Sequence, residues 1–175
     1  MTSAAVPAEL PGKPTSAARS TLSRIMTVLD TNLLGTVHGG VVMKLVDDVA
    51  GVVAQRHSGG PAVTASMDEM AFLEPVRVGD LVHADAQVNW SGTTSMEVGV
   101  RVLAEPWDEA GVPPVPVATA YLVFVAVDAE GRPRGVPPVL PETDEDRRRF
   151  GEAQIRRTSR LARREAILRS RERSD

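Results

Sequence analysis

The 175-residue chain contains no cysteine. This excludes a disulfide framework, a thiolate metal site and a cysteine nucleophile, and it fits a reducing cytoplasm. Aromatic residues make up only 3% of the chain, so few rings are available to stack on bases. Lysine occurs only at Lys13 and Lys44; every other cationic side chain is arginine. No apolar run approaches the ~20 residues of a membrane-spanning helix. The motifs G-x-S-x-G, G-x-x-x-x-G-K-[ST], G-x-G-x-x-G and H-E-x-x-H are all missing. The histidines His38, His57 and His83 are too scattered to form a metal site, and no cofactor is expected.

What is present suits one domain with a real core: 42% of residues are hydrophobic and the net charge is −3. The charge is uneven. From Asp144 onward 11 arginines face 7 acids, a net of +4, so the preceding residues carry −7. Residues 1–19, rich in Ala, Pro and Ser, lack the apolar block of a secretory signal and read as a disordered tail. Residues 20–141 read as the folded domain, and residues 142–175 as an arginine-rich C-terminal helix.

Residues 21–29 mix β-branched and apolar side chains as a first strand would. The stretch Gly35-Thr36-Val37-His38-Gly39-Gly40 then opens into an apolar helix over residues 41–57, ended by Ser58-Gly59-Gly60-Pro61. Four strand-like runs follow, at 62–72, 82–90, 95–105 and 115–128. In the second, Val82, Ala84, Ala86, Val88 and Trp90 alternate with His83, Asp85, Gln87 and Asn89. The third alternates likewise, and such patterns predict an antiparallel sheet with one face on a core. Thr143 and Asp146 form a capping-box pattern, with acids in the first turn and arginines later. The stripe behind them is thin: Phe150, Ala153, Leu161 and Leu168. The class is α+β.

Two features carry chemistry. The first is His38-Gly39-Gly40 at a helix N-terminus, where unpaired amides could hold a developing oxyanion or simply form a tight turn. The second is a pair of acids, Asp47 and Asp48. At about 100° per residue, Lys44, Asp48 and Gln55 fall within about 40° and form a solvent stripe. Asp47 lies about 80° away, beside Met43, Ala50, Gly51 and Ala54. Asp48 is therefore an i,i+4 partner of Lys44. Asp47 is either a buried acid bonded to a loop or a catalytic carboxylate, acting as general base or as nucleophile.

The series Asp30-Thr31-Asn32, Gly35 to Gly40, Met43 to Asp47, Val63 to Met67, Phe72 to Val76, Gly79-Asp80 and Gly92 to Met96 resembles the hot-dog-fold acyl-CoA thioesterases, both the broad-specificity bacterial enzymes and the cytosolic animal hydrolases. The likeness runs over about residues 20–157. It implies an antiparallel sheet wrapped round a central helix and hydrolysis of fatty acyl-CoA to CoA and free fatty acid, without metal or covalent cofactor. It further implies a cytoplasmic homodimer with active sites between subunits, within a trimer of dimers, and no nucleic-acid or membrane partner. By the same resemblance Asp47 is the catalytic carboxylate, His38, Gly39 and Gly40 polarise the carbonyl, and Thr93, Thr94 and Ser95 approach CoA. Thr36 stands where the family often has Asn or Asp, and Asn32 is a polar position upstream; both are candidate catalytic partners. The alternative function is a module that binds acyl-CoA as a sensor without hydrolysing it. The C-terminal arginines are expected on a solvated helix packed on a neighbouring subunit, or else on CoA phosphates.

Overall fold

A computed structural model describes residues 10–109 and 111–172. In chain order the elements are β1 (Lys13–Pro14), a 3-10 turn, β2 (Ser20–Ile25), a second 3-10 turn, α1 (Gly39–Ser58), β3 (Ala62–Phe72), β4 (Leu81–Ser91), β5 (Ser95–Glu105), β6 (Val115–Ala126), β7 (Val139–Leu140) and α2 (Asp144–Glu172). Five strands form one antiparallel sheet in the order β2-β4-β5-β6-β3, and β1 pairs with β7 in parallel. The sheet curls round α1. This is the α+β arrangement of a sheet wrapped on a central helix.

α1 is buried because it is apolar on the sides the sheet covers. Val42, Leu45, Val46, Val49, Ala50, Val53 and Ala54 are inaccessible or nearly so. They meet Val82, Ala84, Val88, Met96, Val98, Val102, Leu122 and Phe124, which are the inward positions of three strands. Fully burying a side chain of valine or leucine size contributes about 1.5–3 kcal/mol, so this interface dominates the stability of the fold. Gly59 ends the helix at φ 73°, a left-handed conformation that glycine adopts without Cβ strain, and its amide donates to the Gln55 carbonyl at 2.9 Å.

Several boundaries differ from the expectation. The first strand stops at Ile25, because Thr27 and Asp30 close a capping box around the turn Val28–Asp30. The fourth long strand ends at Ala126 rather than 128. The expected N-terminal tail is ordered from Leu10: Thr15 and Ala18 are buried, and β1 lies against β7; residues 1–9 fall outside the described residues. The C-terminal helix begins at Asp144, with Asp146 and Thr143 exchanging the capping-box bonds at 3.1 Å, and residues 173–175 also fall outside.

The outer face of the sheet departs furthest from its pattern. Gln87, Asn89 and Glu97 alternate as solvent residues should, yet all three are buried. α2 lies over them. Arg156 donates to Glu97 at 2.7 Å and sits 3.6 Å above the Tyr121 ring, while Arg157 lies over Trp90. The first half of α2 therefore packs on its own sheet, through ion pairs and rings that an apolar stripe does not reveal.

Candidate active site

The loop before α1 is held from below. The Thr27 amide and hydroxyl both donate to Asp30 at 2.8 Å, and Arg24 pairs with its other oxygen. The Thr27 amide, then its hydroxyl, then Arg24 hold the Asp30 carboxyl below its ordinary range, despite the burial that opposes this. Above that anchor, the Asn32 side-chain oxygen accepts from the amides of Leu34 (2.8 Å) and Thr36 (3.3 Å). The Asn32 amide group donates to the Thr36 hydroxyl at 2.9 Å. Asn32 and Thr36 are thus one unit, with the asparagine fixed by the threonine. One amide hydrogen of Asn32 remains available to a ligand.

The three amides expected to polarise a carbonyl are not equivalent. The His38 amide donates to the Asp30 carbonyl at 2.7 Å. The Gly40 amide donates to His38 Nδ1 at 2.9 Å, so the histidine caps its own helix. Among the described residues no acceptor meets the Gly39 amide, and it alone stays open. A cavity of about 340 Å³ begins there, lined by Val37, Gly39, Val42, Phe72, Leu73 and Val76 among others. The Phe72 ring lies so close to Gly39 that a Cβ at position 39 would be 3.2 Å from Cζ. A methyl group there fits only if the ring gives by a few tenths of an ångström.

On the helix, Lys44 and Asp48 pair at 2.7 Å in solvent. Asp47 is half-buried, and its Oδ1 accepts from the Thr64 hydroxyl at 2.7 Å. Thr64 lies on β3, an edge strand, 17 residues along the chain from Asp47. Sequence reasoning missed it; it sits inside the Val63 to Met67 stretch, but no periodicity singles out a hydroxyl.

The remaining candidates stand apart. Thr93 and Thr94 lie in the turn between β4 and β5 and Ser95 opens β5; the Thr93 and Thr94 carbonyls accept from Val136 and Ala126. Phe72 pairs with Ala118 and Ser95 with Val125, so seven residues of β6, about 23 Å, separate the cavity end from this turn. Thr64 pairs with Phe124, near the turn. One chain therefore holds two groups: Asn32, Thr36 and Gly39 with the cavity at one end, and Asp47 with Thr64 nearer the other.

The model of the Thioesterase superfamily matches residues 34–109. An uncharacterized acyl-CoA thioester hydrolase of Bacillus subtilis is 45% identical over 118 residues, 67% of each chain. This chain belongs to the thioesterase superfamily. The mouse cytosolic acyl coenzyme A thioester hydrolase is 37% identical over 141 residues, 81% of this chain; the chain spans only 37% of that relative's length. Among solved structures, the acyl-CoA hydrolase of Staphylococcus aureus in complex with butyryl coenzyme A and coenzyme A has a TM-score of 0.85 and 36% identity, over 93% of this chain and 98% of that one. An apo-hexameric acyl-CoA thioesterase has a TM-score of 0.84 and 34% identity, over 88% of this chain and 97% of its own. Alanine mutants of the Staphylococcus aureus enzyme replace an Asn, an Asp 15 residues after it, and a Thr a further 17 residues on. In this thioesterase-superfamily chain, Asn32, Asp47 and Thr64 repeat both intervals.

Proposed function

We propose that the chain hydrolyses acyl-CoA thioesters, releasing CoA and a carboxylic acid, at sites that two copies complete together. The observation that carries this reading is the Thr64–Asp47 hydrogen bond on a free strand edge. The matching intervals of Asn32, Asp47 and Thr64 support it. Asp47 acts as general base, and the Thr64 hydroxyl holds Oδ1 so that Oδ2 faces the attacking water. The Gly39 amide, at the positive end of α1, donates to the thioester oxygen as charge develops there. Asn32, fixed by Thr36, orients the water or the thioester with its remaining N–H. Water adds to the carbonyl carbon and gives its proton to Asp47. The carbon–sulfur bond then breaks, and the thiolate leaves as CoA with a proton. The cavity under Phe72 takes the acyl chain, and Thr93 to Ser95 meet CoA.

Asn32 and Asp47 belong to different groups in one chain, so the site pairs Asn32 and Gly39 of one copy with Asp47 and Thr64 of another. β3 is one of the two edges of the sheet; at eleven residues it is longer than the other edge, β2, and it carries Thr64. Pairing along that edge satisfies its backbone groups and brings the two groups together. A trimer of such dimers is the proposed assembly, and the cytoplasm the proposed location. These domain limits follow: residues 20–141 carry the site, and α2 braces it.

The test is Asp47→Asn assayed by thiol release on short, medium and long acyl-CoAs. Loss of a general base lowers kcat about 10²–10⁴-fold. Turnover within a few-fold of the unmodified chain removes Asp47 from the role.

A further inference from the structure

α2 reaches beyond the sheet that it covers. Its contacts fall in the strand order of the sheet. Asp146 accepts from Gln87 of β4, Arg156 pairs with Glu97 of β5 and stacks on Tyr121 of β6, and Arg160 pairs with Asp68 of β3. β3 is an edge of the sheet. From Asp146 to Arg160 the helix rises about 21 Å while crossing three strand spacings, about 14 Å. Twelve residues, 161–172, remain after Arg160. At the same slant they carry the helix about 12 Å, or two further strands, past the edge of this chain.

All twelve are exposed. The side that faces the sheet at Arg156 and Arg160 continues at helical spacing through Arg164, Ile167 and Arg171, with Leu168 beside them. Ile167 and Leu168 remain 45% and 48% accessible, because no strand among the described residues lies beneath them. Arg164 and Arg171 have no ion-pair partner among the described residues, and neither does Glu69 on the outer side of β3.

The geometry points to a second copy of this chain as the occupant of that overhang: residues 161–172 clasp the outer face of the copy paired along β3. A two-fold axis at the paired edges puts each overhang above the other copy, and sets its arginines over the unpaired carboxylate of Glu69 there. The clasp rests on the edge pairing proposed above.

The experiment uses the full chain and two surface variants, Ile167→Asp with Leu168→Asp, and Arg164→Glu with Arg171→Glu. Sedimentation equilibrium over a dilution series reads the dimer dissociation constant, and far-UV circular dichroism checks the helix. The expected result is a dissociation constant at least tenfold higher in both variants with helicity unchanged. Constants within twofold of the unmodified chain overturn the clasp but leave the edge pairing standing. An unmodified chain that is monomeric throughout overturns the pairing and the clasp together. Co-sedimentation with phosphatidylserine vesicles that both variants abolish, at unchanged oligomer mass, assigns the overhang to an anionic lipid surface instead and overturns the clasp.

Discussion

A hydroxyl 2.7 Å from one oxygen of Asp47 decides which oxygen is left to take a proton from water. Thr64→Val removes that bond while keeping the shape. The expected result is a kcat about tenfold to a hundredfold lower with KM little changed, since the orientation of the base is lost and the substrate contacts are not. Thr64→Ser should retain most of the rate; steady-state kinetics on one acyl-CoA separates the two. Gly39 is the second decisive position. A methyl group there meets the Phe72 ring at 3.2 Å and narrows the cavity beside the open amide. Gly39→Ala is therefore expected to lower kcat/KM, more for long acyl chains than short ones. Phe72→Ala in the same chain should recover part of the loss, and a chain-length series measures both effects. Thr36 belongs at this scale too. The sequence offers it as a catalytic partner; its hydroxyl accepts from Asn32 and its amide donates to Asn32, which leaves the hydroxyl hydrogen free to donate to a ligand.

At the scale of elements, the start of α2 is fastened to the domain by a buried carboxylate. Asp146, 2% accessible, accepts from Thr15 at 2.8 Å, Arg19 at 2.7 Å, Gln87 at 3.1 Å and the Thr143 amide at 3.1 Å. Burial alone would raise its pKa, but the bonds from Thr15, Thr143 and Gln87 outweigh it and hold the group well below the usual carboxylate range. A folded-state pKa below the unfolded value near 3.9 makes the unfolded chain bind more protons, so stability falls as pH falls. The contribution is complete above about pH 4 and is lost on acidification from there towards the folded-state value. Asp146→Ala leaves donors from three segments unpaired and should cost about 2–4 kcal/mol at neutral pH. Urea unfolding at pH 7 and at pH 3 checks this: the gap between variant and unmodified chain should shrink at the lower pH.

For the whole molecule, the proposed division of the site between two copies makes a prediction that no single-chain site shares. Asp47→Asn and Asn32→Ala chains, each inactive alone, should regain activity when mixed under conditions of subunit exchange. Random pairing gives half mixed dimers, each with one intact site, so about a quarter of all sites recover. Activity that stays at the level of the separate variants after mass spectrometry confirms exchange would refute the shared site.

Much of this was readable from the residues in order. The alternation in β4 and β5, the apolar run of α1 and its glycine stop, the Thr143–Asp146 capping box and the separation of Asp47 from the Lys44–Asp48 stripe are local consequences of burial and helix geometry. Short-range periodicity records those directly. The sequence by itself therefore determined the class, the central helix and the carboxylate that stands out on it. Only the tertiary structure decided three further points. Thr64 meets Asp47 because the edge strand folds back along α1. The Asp30 carbonyl and the His38 ring take two of the three amides at the helix start, leaving Gly39. Buried Gln87 and Glu97 read as solvent residues because their partners, Asp146 and Arg156, arrive on α2 about 60 residues later, and Asn89 is buried beside them on Glu97. A polar residue paired across space has the same local pattern as one facing water, and packing alone separates the two.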